Sequence, residues 1–81
     1  MLPRLTNARH HDAFRVWLRF SDGAEGIIDL TAELHGPMFD ALQDPALFAQ
    51  LRLDPALHTL VWPNGADLAP EFLRECLRAA A

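Results

Sequence analysis

The segment from Trp62 to Pro70 constrains the fold more than any other part of this 81-residue chain. Its sequence is Trp-Pro-Asn-Gly-Ala-Asp-Leu-Ala-Pro. Asn64 and Gly65 tolerate positive φ angles, so the backbone can reverse there, and Pro70 suits the first turn of a helix, where no amide donor is needed. The segment therefore predicts the end of a strand, a tight turn and the start of a helix in close succession.

Residues 14–20 predict the clearest strand. Apolar side chains alternate strictly with others, as expected for a strand with one buried face. The expected core face carries Phe14, Val16, Leu18 and Phe20, and the opposite face carries Arg15, Trp17 and Arg19. Ser21-Asp22-Gly23 predicts a turn into a second strand over residues 25–30, which makes the pair a hairpin. Residues 4–9 predict a further strand, joined to the first through a turn at His10-His11-Asp12.

Short helices are expected in the middle of the chain. Thr31 is positioned to cap one short helix, which Gly36-Pro37 would end because proline disfavours a helical conformation in the preceding residue. Asp44-Pro45 predicts the N-cap and first residue of another short helix.

The last third of the chain predicts a second strand pair and a final helix. Residues 50–53 and 58–62 would pair through a turn over residues 54–57. From Pro70 onward, one helical stripe carries the apolar side chains of Phe72, Leu73, Cys76, Leu77 and Ala80. We therefore expect a single α+β domain over residues 1–81: an antiparallel sheet of four or five strands, short middle helices and a C-terminal helix packed on the sheet.

Charge and cysteine content exclude several classes of function. The net charge of −4 argues against general nucleic-acid binding, because phosphate contacts need clustered basic side chains. Nucleic-acid binding is retained as the hypothesis ranked last, because four arginines lie near the N-terminus: Arg4, Arg9, Arg15 and Arg19. The single cysteine permits no intramolecular disulfide. No apolar run approaches the roughly 20 residues of a membrane span, so we expect a cytoplasmic protein.

One candidate site is a partner-binding surface on the first hairpin. Trp17 lies between Arg15 and Arg19 on the face opposite the core, and Trp and Arg are enriched at interface hot spots. The alternative is that the C-terminal helix or a loop covers Trp17. We predict that Arg15, Trp17 and Arg19 contact a partner protein.

The alternative candidate is a ligand site at His58, Asn64 and Asp67. Structural roles also explain these residue types, since Asn-Gly is a common turn pair and a short polar side chain before a helix accepts backbone N–H bonds. Trp62 also has a structural interpretation, as an aromatic anchor of the core instead of a stacking surface for a ligand.

The remaining reactive residue types have simpler structural explanations. Asp22, Asp29 and Asp67 could gather around a hard cation, but turn formation and capping account for them. His10-His11-Asp12 contains adjacent strand residues, which point to opposite faces. Cys76 lies on an apolar stripe without a nearby base. We therefore expect no metal site, no cofactor and no catalytic residue.

The order of several short motifs resembles a bacterial family, domain of unknown function 2442. The motifs are Phe20-Ser21-Asp22-Gly23, Ile28-Asp29-Leu30, Gly36-Pro37-Met38-Phe39, Leu42-Gln43-Asp44 with Phe48, and residues 61–70. The likeness runs from about Leu5 to Leu77. It implies a small α+β protein, sometimes fused to a helix-turn-helix domain that binds DNA. Residues 1–81 show no helix-turn-helix pattern, so we expect no direct DNA binding by these residues.

The same resemblance implies a partner. Short members of the family are often encoded beside a protein of domain of unknown function 4160, an arrangement typical of a toxin and its antitoxin. We therefore expect a non-catalytic protein-binding module that is the antitoxin or accessory half of such a pair. Formation of a homo-oligomer by this chain is a further hypothesis. The alternative expectation is a small-ligand-binding or enzymatic domain at the corner that follows Trp62.

Overall fold

Within residues 3–80, the fold contains six strands and a C-terminal helix, which are joined by turns and short helices. The structure is a computed structural model that describes residues 3–80. The first three strands are β1 (Leu5–Asp12), β2 (Arg15–Phe20) and β3 (Glu25–Asp29), and the later ones are β4 (Arg52–Asp54), β5 (Thr59–Val61) and β6 (Asp67–Leu68). Two 3-10 helices (Thr31–Glu33 and Asp40–Gln43) and the short helix α1 (Pro45–Phe48) connect these groups, and helix α2 spans Pro70–Ala80.

The strands form two antiparallel three-stranded sheets, in the orders β1-β2-β3 and β4-β5-β6. The α+β class is confirmed, but the prediction of one sheet with four or five strands is wrong. Alternating side chains show which face of a strand is buried, yet they do not identify its neighbour. In this chain, β4 and β5 lie near β1 without joining its ladder, and the two-residue strand β6 completes the second sheet.

Two local predictions need correction. The His10-His11-Asp12 segment is the end of β1, and the chain reverses at Ala13, which has a φ of +42°. Thr31 does not cap a helix. It is the first residue of its 3-10 helix, and its N–H and hydroxyl donate to the Asp29 carboxylate at 2.8 and 2.6 Å.

Three other predictions are confirmed by local geometry. The β2–β3 hairpin turns at Gly23, where φ is +87°. The Asp44 carboxylate accepts a bond from the Ala46 N–H while Pro45 begins α1. Helix α2 begins at Pro70 as expected.

An aromatic cluster occupies the space between the two sheets. Trp62 is 2% exposed, and its indole N–H donates to the Phe48 carbonyl at 2.9 Å. The Phe48 ring lies 5.7 Å from Trp62 and meets Phe14 edge-on at 5.3 Å, between ring centroids. Because Phe14 adjoins the first sheet and Trp62 follows β5, this cluster joins the two sheets through side chains.

Helix α2 covers the inner face of the first sheet near β3. Leu73 and Leu77 are buried, and Phe72 and Cys76 pack against the core, as the apolar stripe predicted; the side chain of Ala80 lies outside the described part of the chain. Gly26 lies beneath the helix, since a Cβ there would come within 2.7 Å of Leu77 Cδ1. The opposite face of the sheet is consequently the one available for function.

Candidate interaction surface

The side of the first sheet away from α2 carries the predicted partner-binding residues. The strand register places Trp17 opposite Arg9 of β1 and Ile27 of β3, so one row crosses all three strands. We call this side the outer face, and its residues are Asn7, Arg9, Arg15, Trp17, Arg19, Glu25, Ile27 and Asp29. Residues at alternate positions, such as Val16 and Leu18, point inward and are fully buried.

The centre of the outer face is the row of Arg9, Trp17 and Ile27, in which the Arg9 guanidinium lies over the Trp17 ring. The Arg9 guanidinium carbon lies 5.1 Å from the centre of the Trp17 ring, a cation–π distance. Trp17 is half-buried and Ile27 is 42% exposed. A depression of about 340 Å³ opens beside them and is also bordered by His10 and His11. The row therefore presents a recessed apolar contact area with charged neighbours.

The two predicted arginines each face a carboxylate. Arg15 makes a two-pronged bond to Asp12, with Nε to Oδ1 at 2.7 Å and Nη2 to Oδ2 at 2.5 Å. The bond from Arg15 holds the pKa of Asp12 below its ordinary value and raises the pKa of Arg15. Arg19 Nε lies 3.9 Å from Glu25 Oε2, and both side chains are 54% exposed. Arg15 is thus fixed in direction, whereas Arg19 is held loosely.

The sequence predicted Arg15, Trp17 and Arg19 as partner contacts, named Arg9 only in the nucleic-acid hypothesis, and did not single out Ile27. The signal for Ile27 was present, because a hairpin with its turn at Ser21-Asp22-Gly23 has a register that sets residue 27 opposite residue 17. Arg9 could not be placed in the same way, because the turn between β1 and β2 was expected at the wrong residues.

The alternative site residues lie around β5. His58 immediately precedes the strand, whereas Asn64 and Asp67 lie in the hairpin that follows its other end, with Asp67 opposite Val61. The Asn64 amide donates to the Met38 carbonyl at 2.9 Å and accepts from the Ala66 N–H at 3.1 Å. The structure thus brings Asn64 and Asp67 into one hairpin, in its turn and its second strand, places His58 before the other end of β5, and gives Asn64 two backbone partners.

The family of the chain follows from its sequence match. The model of the family described as Protein of unknown function (DUF2442) matches residues 5–78. The chain belongs to this family. No curated protein and no solved structure matches it with significance.

The motifs that resemble DUF2442 have structural roles in this chain. Phe20 is buried, and the adjoining Asp22 carboxylate accepts a bond from the Ala24 N–H within the β2–β3 turn. In the motif over residues 61–70, the backbone N–H of Trp62 donates to the Ala66 carbonyl across the turn at Gly65, where φ is +92°. The DUF2442 likeness therefore identifies turns and core contacts, and the outer face is made largely of other residues.

Other reactive groups in this DUF2442 chain are engaged in structure. Asp22 also pairs with Arg74 at 3.1 Å. Burial raises the pKa of the Cys76 thiol, which makes the thiolate less available at neutral pH. Within residues 3–80, no group of three or more His, Cys, Asp or Glu side chains is arranged to hold a metal ion. None of the described helices is long and apolar enough to cross a membrane.

Proposed function

We propose that this DUF2442 chain is a non-catalytic protein-binding module that contacts its partner through the outer face. The observation that carries the proposal is the row formed by Arg9, Trp17 and Ile27 across all three strands. Interfaces place a few aromatic and arginine anchors at the centre and charged groups at the rim. The outer face has this arrangement, since Arg15 and Arg19 flank Trp17.

The electrostatics of the outer face support a protein partner over nucleic acid. Arg15 is paired with Asp12, and Arg19 lies near Glu25, so these arginines are partly neutralised within the sheet. Nucleic-acid binding needs uncompensated positive charge along the contact surface. A partner protein with its own mixed charges suits this face better, because rim charges set orientation and association rate.

The biological role that we propose is the antitoxin or accessory half of a bacterial toxin and antitoxin pair in the cytoplasm. This step rests on the expectation that short members of the family are often encoded beside a protein of domain of unknown function 4160, which we propose as the partner. The module would act by covering a surface of that protein, and no cofactor or metal enters the mechanism.

The test is a binding measurement with a domain of unknown function 4160 protein from the same organism, purified separately. We expect a stoichiometric complex by size-exclusion chromatography with light scattering, and a Trp17→Ala variant that binds about 30-fold more weakly, as for a hot spot of about 2 kcal/mol. Circular dichroism would establish that the variant folds.

Leu57→Ala is the matched control, because Leu57 is 62% exposed in the turn before β5 and lies away from the outer face. Its affinity should equal that of the wild type. A folded Trp17→Ala variant with wild-type affinity would show that the outer face is not the contact surface, and the absence of any complex would refute the proposed partner.

A further inference from the structure

The outer edge of β3 is an unpaired strand edge. β3 has β2 on one side, and no other strand of residues 3–80 joins it. The ladder ends with bonds from Phe20 N–H to Ala24 C=O and from Leu30 N–H to Phe14 C=O. Antiparallel pairs alternate between bonded and non-bonded positions, so Ala24, Gly26, Ile28 and Leu30 bond to β2. The N–H and C=O groups of Glu25, Ile27 and Asp29 consequently point away from the sheet.

Open space adjoins this edge. A groove of about 330 Å³ lies between β3 and α2, lined by Ala24, Glu25, Gly26, Ile27, Arg74, Leu77 and Arg78. The helix rests on the inner face over Gly26, so it borders the edge without covering it. The side chain of Leu77 forms an apolar part of the groove wall.

We infer that the edge of β3 binds an extended, basic segment of a partner protein as a fourth strand of the first sheet. This inference rests on the proposed function and specifies how the partner is bound. Main-chain hydrogen bonds to an exposed edge supply affinity, and alternate side chains supply specificity. The added strand would also extend the outer face beyond Ile27.

The charges along β3 specify the sequence of that segment. Glu25 and Asp29 are exposed at the two ends of the strand, with Ile27 between them on the same face. Glu25 is held only loosely by Arg19, at 3.9 Å, and Thr31 bonds to a single oxygen of the Asp29 carboxylate, so both groups keep acceptor capacity for a basic neighbour. Cross-strand neighbours of opposite charge are stabilising. The fitting segment therefore has an apolar residue opposite Ile27 and a basic residue two positions away on either side. The intervening side chains would point toward the groove, where an apolar residue contacts Leu77. Arg74 and Arg78 also line the groove, but each is paired with a carboxylate, Asp22 and Glu75 respectively.

The same charges disfavour a second copy of this chain at the edge. Antiparallel self-pairing centred on Ile27 is the register that matches all five residues of β3. It would place Glu25 of each copy opposite Asp29 of the other, and like charges directly opposite are destabilising. Charged edge strands are a common protection against such self-association, and a basic partner strand would convert that repulsion into attraction.

Two blocked peptides test the inference directly. The probe has the core Arg-Val-Val-Val-Arg, and its control has Glu-Val-Val-Val-Glu in the same flanking sequence. In nitrogen-15 NMR titrations, we expect the probe to shift the amides of Glu25, Ile27 and Asp29 and to bind at least about tenfold more tightly than the control. A Glu25→Lys variant should lose most of this preference. Equal binding of both peptides, or unshifted β3 amides at millimolar probe, would overturn the inference.

A pair of variants at Ile27 separates this inference from the proposed function. Proline at an edge position removes the outward N–H without breaking a bond of the existing ladder, so a folded Ile27→Pro variant blocks strand addition. Ile27→Ala also loses the isoleucine side chain but keeps the amide, and circular dichroism would establish that both variants fold. If the full partner binds Ile27→Pro at least about tenfold more weakly than Ile27→Ala, strand addition is supported. If it binds both equally but still loses affinity with Trp17→Ala, the proposed function stands and strand addition is refuted.

Discussion

The two tryptophans differ in burial, since Trp62 is in the core and Trp17 is at the surface. Trp62 is enclosed between the sheets and donates to the Phe48 carbonyl, whereas Trp17 lies half-buried on the outer face under Arg9. Buried tryptophan stabilises a small fold through contact area and its N–H bond. A tryptophan held at the surface contributes less to folding and remains available to a partner.

A matched pair of substitutions tests this difference. Trp62→Phe removes the buried hydrogen bond and leaves unfilled volume, so we expect a loss of about 1–3 kcal/mol in the free energy of unfolding. Trp17→Phe should lose less than about 1 kcal/mol. Urea unfolding followed by circular dichroism gives both values. Equal losses would mean that Trp17 is also a core anchor.

Asn64 provides a second prediction at the scale of the residue. Its amide N–H₂ donates to Met38 and its oxygen accepts from Ala66, so only an amide of this length satisfies both partners. Asn64→Asp keeps the acceptor and loses the donor, and Asn64→Ala loses both. We expect unfolding free energy to fall in the order Asn, Asp, Ala, by about 1 kcal/mol for each bond, in urea titrations at pH 7. Unchanged stability in both variants would favour a ligand-binding role.

At the scale of elements, local patterns predicted hairpins and helices but not how they assemble. The alternation over residues 14–20, the turn at Gly23 and the apolar stripe of α2 all depend on neighbours in sequence. The structure has these elements close to the predicted places, although β2 begins at Arg15 and Phe14 lies in the preceding turn. The division into two sheets depends on contacts between distant residues, such as the one between Trp62 and Phe48. No short-range pattern contains that information.

The candidate interaction surface was predictable to a similar extent. The alternation alone put Arg15, Trp17 and Arg19 on one side of a strand. Arg9 and Ile27 joined them only through the register of three strands, and the pairing of Arg15 with Asp12 follows from the register shift at the end of β1. Each strand of this face can be predicted from local sequence, but the face itself depends on how the three strands pair.

Helix α2 permits a prediction at this scale. Leu73 is fully buried between the helix and the first sheet. Leu73→Ala removes buried methyl groups and leaves a cavity, so we expect a loss of about 2–5 kcal/mol, most of the stability of a small domain. Leu57→Ala, at a 62% exposed position, should change the free energy by less than about 0.5 kcal/mol. Chemical unfolding of both proteins makes the comparison, and similar losses would mean that α2 is not anchored through Leu73.

At the scale of the whole molecule, carboxylates stabilise the turns and the surface pairs. Five of them have pKa values below their ordinary range: Asp12, Asp22, Asp29, Asp54 and Glu75. The main causes are the Arg15 bond for Asp12, backbone N–H bonds for Asp22 and Asp54, the Thr31 hydroxyl for Asp29, and Arg78 for Glu75. In each case the folded state stabilises the charged carboxylate, so protonation must lower the free energy of unfolding.

The direction of these shifts determines how stability depends on pH. A carboxylate with a lowered folded pKa contributes fully above its unfolded pKa, about 3.9 for Asp, and the contribution is lost as pH falls through the folded pKa. We therefore expect the contribution of these groups to the free energy of unfolding to be steady down to about pH 5 and to fall progressively below about pH 4. Urea titrations at several pH values would measure the decline.

The matched control is the double variant Asp29→Asn with Asp54→Asn. The asparagine oxygens can still accept the bonds from Thr31, Ala56 and Leu57, so the turns persist while two titrating groups are removed. The variant should lose less stability than the wild type between pH 5 and pH 3. If both proteins decline equally, the acid sensitivity comes from other groups, and if neither declines, the turn carboxylates do not couple folding to pH.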